Sequence, residues 1–206
     1  MHVVERQRLR GLSRGFTIIE LLTTLAVSAV IFALAVPGFT HMMASHRLTD
    51  TANAFVESLN QARLQAVRGN QRTIFCSNSG ISNQNVDPTP GKLLATACNE
   101  QAGAVYAMQG TAVGSDPVQA APALPNNIAL GSSNGGVTVQ ALRFAGDGLA
   151  RDNTSGSPAN GLVADIYAHD MSTNNRRCIY IFTGSVVRTC TYTGSSCPAG
   201  APASCN

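Results

Sequence analysis

The chain has 206 residues, 44% hydrophobic and only 12% charged, with no tryptophan. That apolar share excludes a disordered chain and supplies one modest core plus an appendage. The formal net charge of +3 sits in "MHVVERQRLRGLSRG", where Arg6, Arg8, Arg10 and Arg14 face only Glu5. The rest of the chain is balanced, which excludes a global basic field that would draw in nucleic acid.

In chain order, the first predicted element is an apolar run. From Phe16 to Phe39 the only charge is Glu20. At about 1.5 Å per residue the run spans roughly 36 Å, enough to cross a bilayer. The preceding arginines place the N-terminus in the cytoplasm and everything after Thr40 outside it. The run is too long for a secretory signal core, and no A-x-A site follows it. A plain membrane anchor leaves Glu20 unexplained, because a carboxylate at membrane depth costs roughly 2.5–3.5 kcal/mol on insertion scales.

Beyond the membrane, Leu48, Ala52, Phe55, Leu59, Ala62 and Ala66 recur at spacings of four and three, one face of a helix. Gly69–Asn70 is a stop signal. The pattern predicts one long helix over Phe16–Arg68, kinked near Pro37. His41 and His46 sit at the membrane exit and read as surface or interfacial residues, so no metal centre is expected there. After Asn70 the stretches "QRTIFCS", "AGAVYAMQG", "GVTVQALRFAGDG", "GLVADIYAHD" and "RRCIYIFTGSVVRTCTY" read as an antiparallel sheet. "NSGISNQNVDPTPG" reads as a loop, and the tail "TGSSCPAGAPASCN" as irregular chain.

Six cysteines, Cys76, Cys98, Cys178, Cys190, Cys197 and Cys205, all follow the apolar run. None has C-x-x-C spacing, which argues against zinc and thioredoxin-like redox sites. An even number after a membrane segment points to disulfides in an oxidising compartment. Six cysteines allow 15 pairings. The local expectation is Cys76–Cys98, Cys178–Cys190 across a hairpin turning at Gly184–Ser185, and Cys197–Cys205.

"RGFTIIELL" resembles the leader junction of type IV prepilins and pseudopilins. The resemblance implies that prepilin peptidase cuts after Gly15 and methylates the new N-terminal Phe16. Glu20 then takes the family's acidic fifth position, and Pro37 its helix-kinking one. It further implies that Glu20 pairs with the Phe16 amine when subunits stack, setting axial register. The stretches "NAFVESLNQARLQAVRGNQRTIFC", "LRFAGDGLAR" and "CIYIFTGSVVR" are similar to the FimT/GspH group of minor pilins and pseudopilins. The implied fold is α+β, a long helix packed on a disulfide-bearing antiparallel sheet. The implied organisation is a cleaved leader at 1–15, a membrane-spanning assembly segment at 16–40, an amphipathic periplasmic helix at 41–70 and a periplasmic β domain at 71–206.

The function this implies is a minor pilin that initiates or caps filament assembly. Its partners would be other minor pilins, the major pilin and an inner-membrane assembly platform. Two alternatives are a minor pseudopilin of a type II secretion system and a pilus-tip receptor for double-stranded DNA. Some members of the group bind DNA through a Gly-Arg-x-Arg motif on the last hairpin. Here Ser185 and Val187 stand at its arginine positions, and Arg188 falls one residue late, on the other strand face. Arg143, Arg151, Arg176, Arg177 and Arg188 could still compose a patch. The competing expectation leaves these arginines solvated or paired with Asp147, Asp152, Asp165 and Asp170. No catalytic motif is visible and no cofactor is expected.

Overall fold

The computed structural model describes residues 15–77, 102–109, 112–113, 117–131, 141–152, 156–201 and 205. The leader before Gly15, Cys98, the whole of the predicted loop 78–91 and residues 136–140 of the predicted alternating strand lie outside the described residues.

Helix α1 spans Ile18–Gly69. Thr17 caps its start, its hydroxyl accepting the Glu20 backbone N–H at 3.3 Å. Thr-x-x-Glu is the sequence signature of such a cap. At the other end Asn70 adopts φ 44°, a left-handed conformation that asparagine tolerates. Gln71 N donates to Ala66 O at 3.1 Å and Asn70 N to Val67 O at 3.4 Å. Those two bonds are the Schellman closure of a helix.

By its internal contacts the chain divides into two units, one up to Thr40 and one from His41. In the first, large apolar side chains such as Ile18, Leu25, Phe32 and Leu34 are exposed. Among the described residues α1 alone is long and apolar enough to cross a membrane.

Among the described residues the second unit adds nine strands to the rest of α1: β1 Thr73–Phe75, β2 Val105–Gln109, β3 Ala112–Val113, β4 Ile128–Leu130, β5 Leu142–Phe144, β6 Ala150–Asp152, β7 Gly161–Ala168, β8 Arg176–Phe182 and β9 Val186–Tyr192. They form two antiparallel sheets, ordered β3-β2-β1-β5-β6 and β4-β7-β8-β9. The predicted helix face is the centre of the core: Leu48, Ala52, Phe55, Leu59, Ala62 and Ala66 are all at most 1% exposed. One apolar cluster joins them to Phe75, Val105, Leu142, Phe144 and Ala150 of the first sheet and to Ala164, Ile166, Ile179 and Ile181 of the second. Burial of Phe55 or Leu59 stabilises by about 1.5–3 kcal/mol each. Polar groups beside this stripe are satisfied locally. Thr51 and Ser58 hydroxyls donate to carbonyls one turn back, and the buried Thr73 hydroxyl donates to Ala62 O at 2.7 Å, hooking β1 onto the helix.

The terminal hairpin is as predicted, its register running from Arg176↔Tyr192 to Phe182↔Val186. Thr183 and Gly184 both take positive φ. Glycine is required at 184 for a second reason, because a Cβ there would meet the Ala150 carbonyl oxygen. Gly184 O accepts Ala150 N and Gly184 N donates to Ala159 O, each at 2.8 Å, so the turn docks beside β6.

The disulfides differ from the local expectation. Cys178 and Cys190 are register partners, but each is bonded to the tail: Cys178–Cys197 and Cys190–Cys205. Neither the bridge across the hairpin nor the bridge within the tail forms. The physical reason is where the two cysteines point. Ile179 and Ile181 face the main core, while Cys178 and Tyr180 face the other way, where the tail covers them in a separate apolar cluster with Leu162, Cys190 and Cys197. Each hairpin cysteine therefore has a tail cysteine above it. Cys76 is also disulfide-bonded; Cys98, its expected partner, lies outside the described residues.

Candidate functional site

Two groups of residues carry chemistry beyond packing. The first lies at the start of α1. Gly15 and Phe16 precede the helix and are exposed, Phe16 to 78%. Glu20 is the acidic residue of the first turn. A carboxylate there is favoured by the helix dipole of its own chain, and its surroundings are exposed apolar side chains, Ile18, Ile19, Leu21 and Leu22. Pro37 falls inside α1, which continues through it to Gly69. Its backbone nitrogen has no hydrogen to donate to the carbonyl one turn back, that of Ala33.

The second group is the arginines. Arg176, a candidate for the patch, is 7% exposed and pairs with Asp165, which is 2% exposed, Nη1 lying 2.6 and 2.7 Å from the two carboxylate oxygens. Its Nε donates to Gly194 O at 2.8 Å, its Nη2 donates to Ser195 O, and its guanidinium lies over the Tyr167 ring at 4.6 Å. Asp165 also accepts the Cys197 N–H at 3.0 Å. One buried charge pair thus holds the tail by two carbonyls and an amide. Tyr180 adds a fourth tie, donating its hydroxyl to Pro198 O at 2.7 Å. Burial first, then Asp165 and Tyr192, push that phenol up to about 12, so it remains a donor.

Arg177 points the opposite way. It donates to Thr49 Oγ1 on α1 at 3.2 Å and to Asn174 O at 3.0 Å, and burial lowers its pKa. Arg176 and Arg177 are therefore structural and do not join a surface patch. Arg151 forms a two-point pair with Asp147, at 3.0 and 2.5 Å. The Arg151 bond first, then the Leu149 N–H, brings the Asp147 carboxyl down to about 2. Arg143 is the register partner of Arg151 across β5–β6. Its pKa is lowered by burial first, then by the neighbouring charges of Arg72 and Arg151. Arg188 is exposed and lies over the Phe182 ring at 5.9 Å. Val187, where the DNA-binding motif has its second arginine, packs against the main core.

The expected pairing of arginines with aspartates holds for Asp147 and Asp165, whereas Asp170 accepts from Asn127 instead. Two residues escaped the sequence reading. Arg72 joins the Arg143–Arg151 group. Arg63, on α1, donates to Ser185 O at 2.8 Å and lies over Phe144 at 5.7 Å, tying the hairpin turn to the helix. The signal was a charged residue between Leu59, Ala62 and Ala66, beside a buried stripe.

A long helix, two antiparallel sheets and disulfides are the pilin-like α+β architecture that the sequence implied. A search of curated proteins and one of solved structures found no match. Among protein families, the profile described as type II transport protein GspH matches residues 51–183, from the amphipathic part of α1 to the hairpin turn. The chain belongs to the GspH family, and is a pilin-like protein of the kind that assembles with other pseudopilins in a secretion or pilus system.

Proposed function

We propose that this chain is a minor pilin of a type IV pilus system that primes or caps the filament. It sits in the inner membrane with residues from His41 on in the periplasm, and reaches the pilus tip after assembly. The observation that carries the proposal is Glu20, one carboxylate in the first turn of a helix whose large apolar side chains from Ile18 to Phe39, such as Leu25, Phe32 and Leu34, are exposed. Cleavage between Gly15 and Phe16 by prepilin peptidase would place a cationic amine next to that turn, and N-methylation of Phe16 preserves its charge. In an apolar environment each charge alone is costly, and an aligned pair offsets part of that cost. Only one axial offset between neighbouring helices brings amine and carboxylate together, so the pair selects register. Other minor pilins, the major pilin and the assembly platform are the partners this requires.

Deletion of the gene distinguishes pilus from secretion. The expected outcome is loss of surface filaments with secretion of extracellular enzymes intact. Intact filaments with lost secretion would assign the chain to a type II secretion system instead.

The cluster of Arg72, Arg143 and Arg151 favours a second reading, a phosphate-binding strip for double-stranded DNA at the pilus tip. Binding there would be sequence-blind, with a log–log salt slope of about −0.9 per phosphate contact. Titration of the full chain in detergent at two salt concentrations tests it. Arg143→Gln should shallow the slope by about one such contact; an unchanged slope and affinity removes the reading.

A further inference from the structure

We propose that the two tail disulfides form a thiol–disulfide exchange site, entered by an external thiol at Cys205, through which the four cysteines re-pair as Cys178–Cys190 and Cys197–Cys205 with no net oxidation or reduction. The inference concerns the last hairpin and tail, most of which lie beyond the segment shared with the GspH family.

The geometry is set by register. Cys178 and Cys190 stand directly opposite each other on β8 and β9. Opposed residues of antiparallel strands have Cα atoms about 4.5–5.5 Å apart, inside the usual range of about 4.4–6.8 Å for a disulfide. The two bridges that exist have Cα separations of 5.8 and 4.9 Å. All four cysteines belong to one apolar cluster. The Cys178–Cys190 pairing is thus within reach of the backbone that holds the two tail bridges, and it leaves Cys197 and Cys205 to pair with each other.

No cysteine is free among the described residues, so exchange cannot start from within. Cys178, Cys190 and Cys197 are at most 1% exposed, whereas Cys205 is half-buried, so an external thiolate reaches Cys205 first. Attack on its Sγ forms a mixed disulfide and releases the Cys190 thiolate. Cys190 then attacks Cys178 Sγ, forming the cross-strand bridge and displacing the Cys197 thiolate. Cys197 attacks Cys205 Sγ and expels the external thiol, which leaves as it came. Each step breaks one S–S bond and makes one. The product is fully oxidised, but no disulfide ties the tail to the sheet. What remains are the Arg176, Asp165 and Tyr180 contacts to Gly194, Ser195, Cys197 and Pro198. Their release uncovers Leu162 and Tyr180.

The test uses the full chain carrying Cys205→Ser, purified without added thiol. Removing Cys205 leaves Cys190 as a thiol facing Cys178. The chain is alkylated, then cut with chymotrypsin after Tyr192, which separates Cys190 from Cys197. Mass spectrometry should find Cys178 linked to Cys190 and the alkyl group on Cys197, with loss of the Cys178–Cys197 cross-link. Label on Cys190 with Cys178–Cys197 intact overturns the proposal. A second measurement does not depend on the variant folding. The natural chain is incubated with catalytic glutathione and mapped in the same way. Release of a tail peptide carrying its own Cys197–Cys205 bond, with no gain in free thiol, is the expected result. Retention of both original bridges overturns the proposal.

Discussion

Replacing Asp165 with asparagine lowers the stability of the second unit by about 3–5 kcal/mol, read as a fall in the denaturant midpoint at unchanged slope. The size follows from what is left behind. Arg176 stays charged and 7% exposed, with its one carboxylate gone and only neutral partners left: the Gly194 and Ser195 carbonyls, the Tyr167 ring and the amide oxygen of the new asparagine. The site cannot relax by admitting water freely, because Gly131 is packed so closely that a Cβ there would strike the Asp165 carboxyl. The double change Asp165→Leu with Arg176→Met recovers part of the loss, since no buried charge then remains unpaired. It does not recover all of it, because the Cys197 N–H and two tail carbonyls lose their partners. A loss below about 1 kcal/mol for the single change would mean that the pair is solvated and does not anchor the tail.

The second large effect belongs to Glu20. Glu20→Gln should reduce recovery of the subunit in sheared filaments by about tenfold, the factor that corresponds to about 1.4 kcal/mol of pairing. Membrane insertion and leader cleavage should stay unchanged. Glutamine is chosen because it retains the hydrogen-bonding capacity a capping residue needs at this position, and it is less costly in the membrane than a carboxylate. A loss on this substitution therefore reports the charge and not the cap. Equal recovery of Glu20→Gln and natural subunits in filaments would remove the register-setting pair from the proposal.

What the sequence made legible follows the length of each pattern. The Leu48-to-Ala66 stripe repeats over five helical turns, and every member is buried. The β8–β9 hairpin was legible because seven-residue strands flank a Thr-Gly-Ser turn. Strands β3, β4 and β6, of two or three residues, are too short to show alternation and went unseen. The strand β7 hides its period differently: five successive residues are buried because both faces are covered, and a bulge lies between Leu162 and Ala164. The disulfide pairing was misread because sequence proximity says nothing about which face of β8 carries Cys178 or what lies over it. For the same reason Arg176 and Arg177, adjacent in sequence, could not be separated in advance into one that holds the tail and one that holds the helix.

The strand pairings also set a folding order. β7, β8 and β9 are consecutive neighbours joined by short connections, so they close with little loss of chain entropy. β1 follows α1 directly yet pairs with β2 and, much later in the chain, with β5. Contacts so distant in sequence form slowly. The nascent chain therefore presents the bare Leu48, Phe55 and Leu59 stripe before the β7–β9 sheet that completes its cover has been synthesised. That interval exposes the polypeptide to proteolysis and self-association, and its duration is set by the residues between Phe75 and Val186.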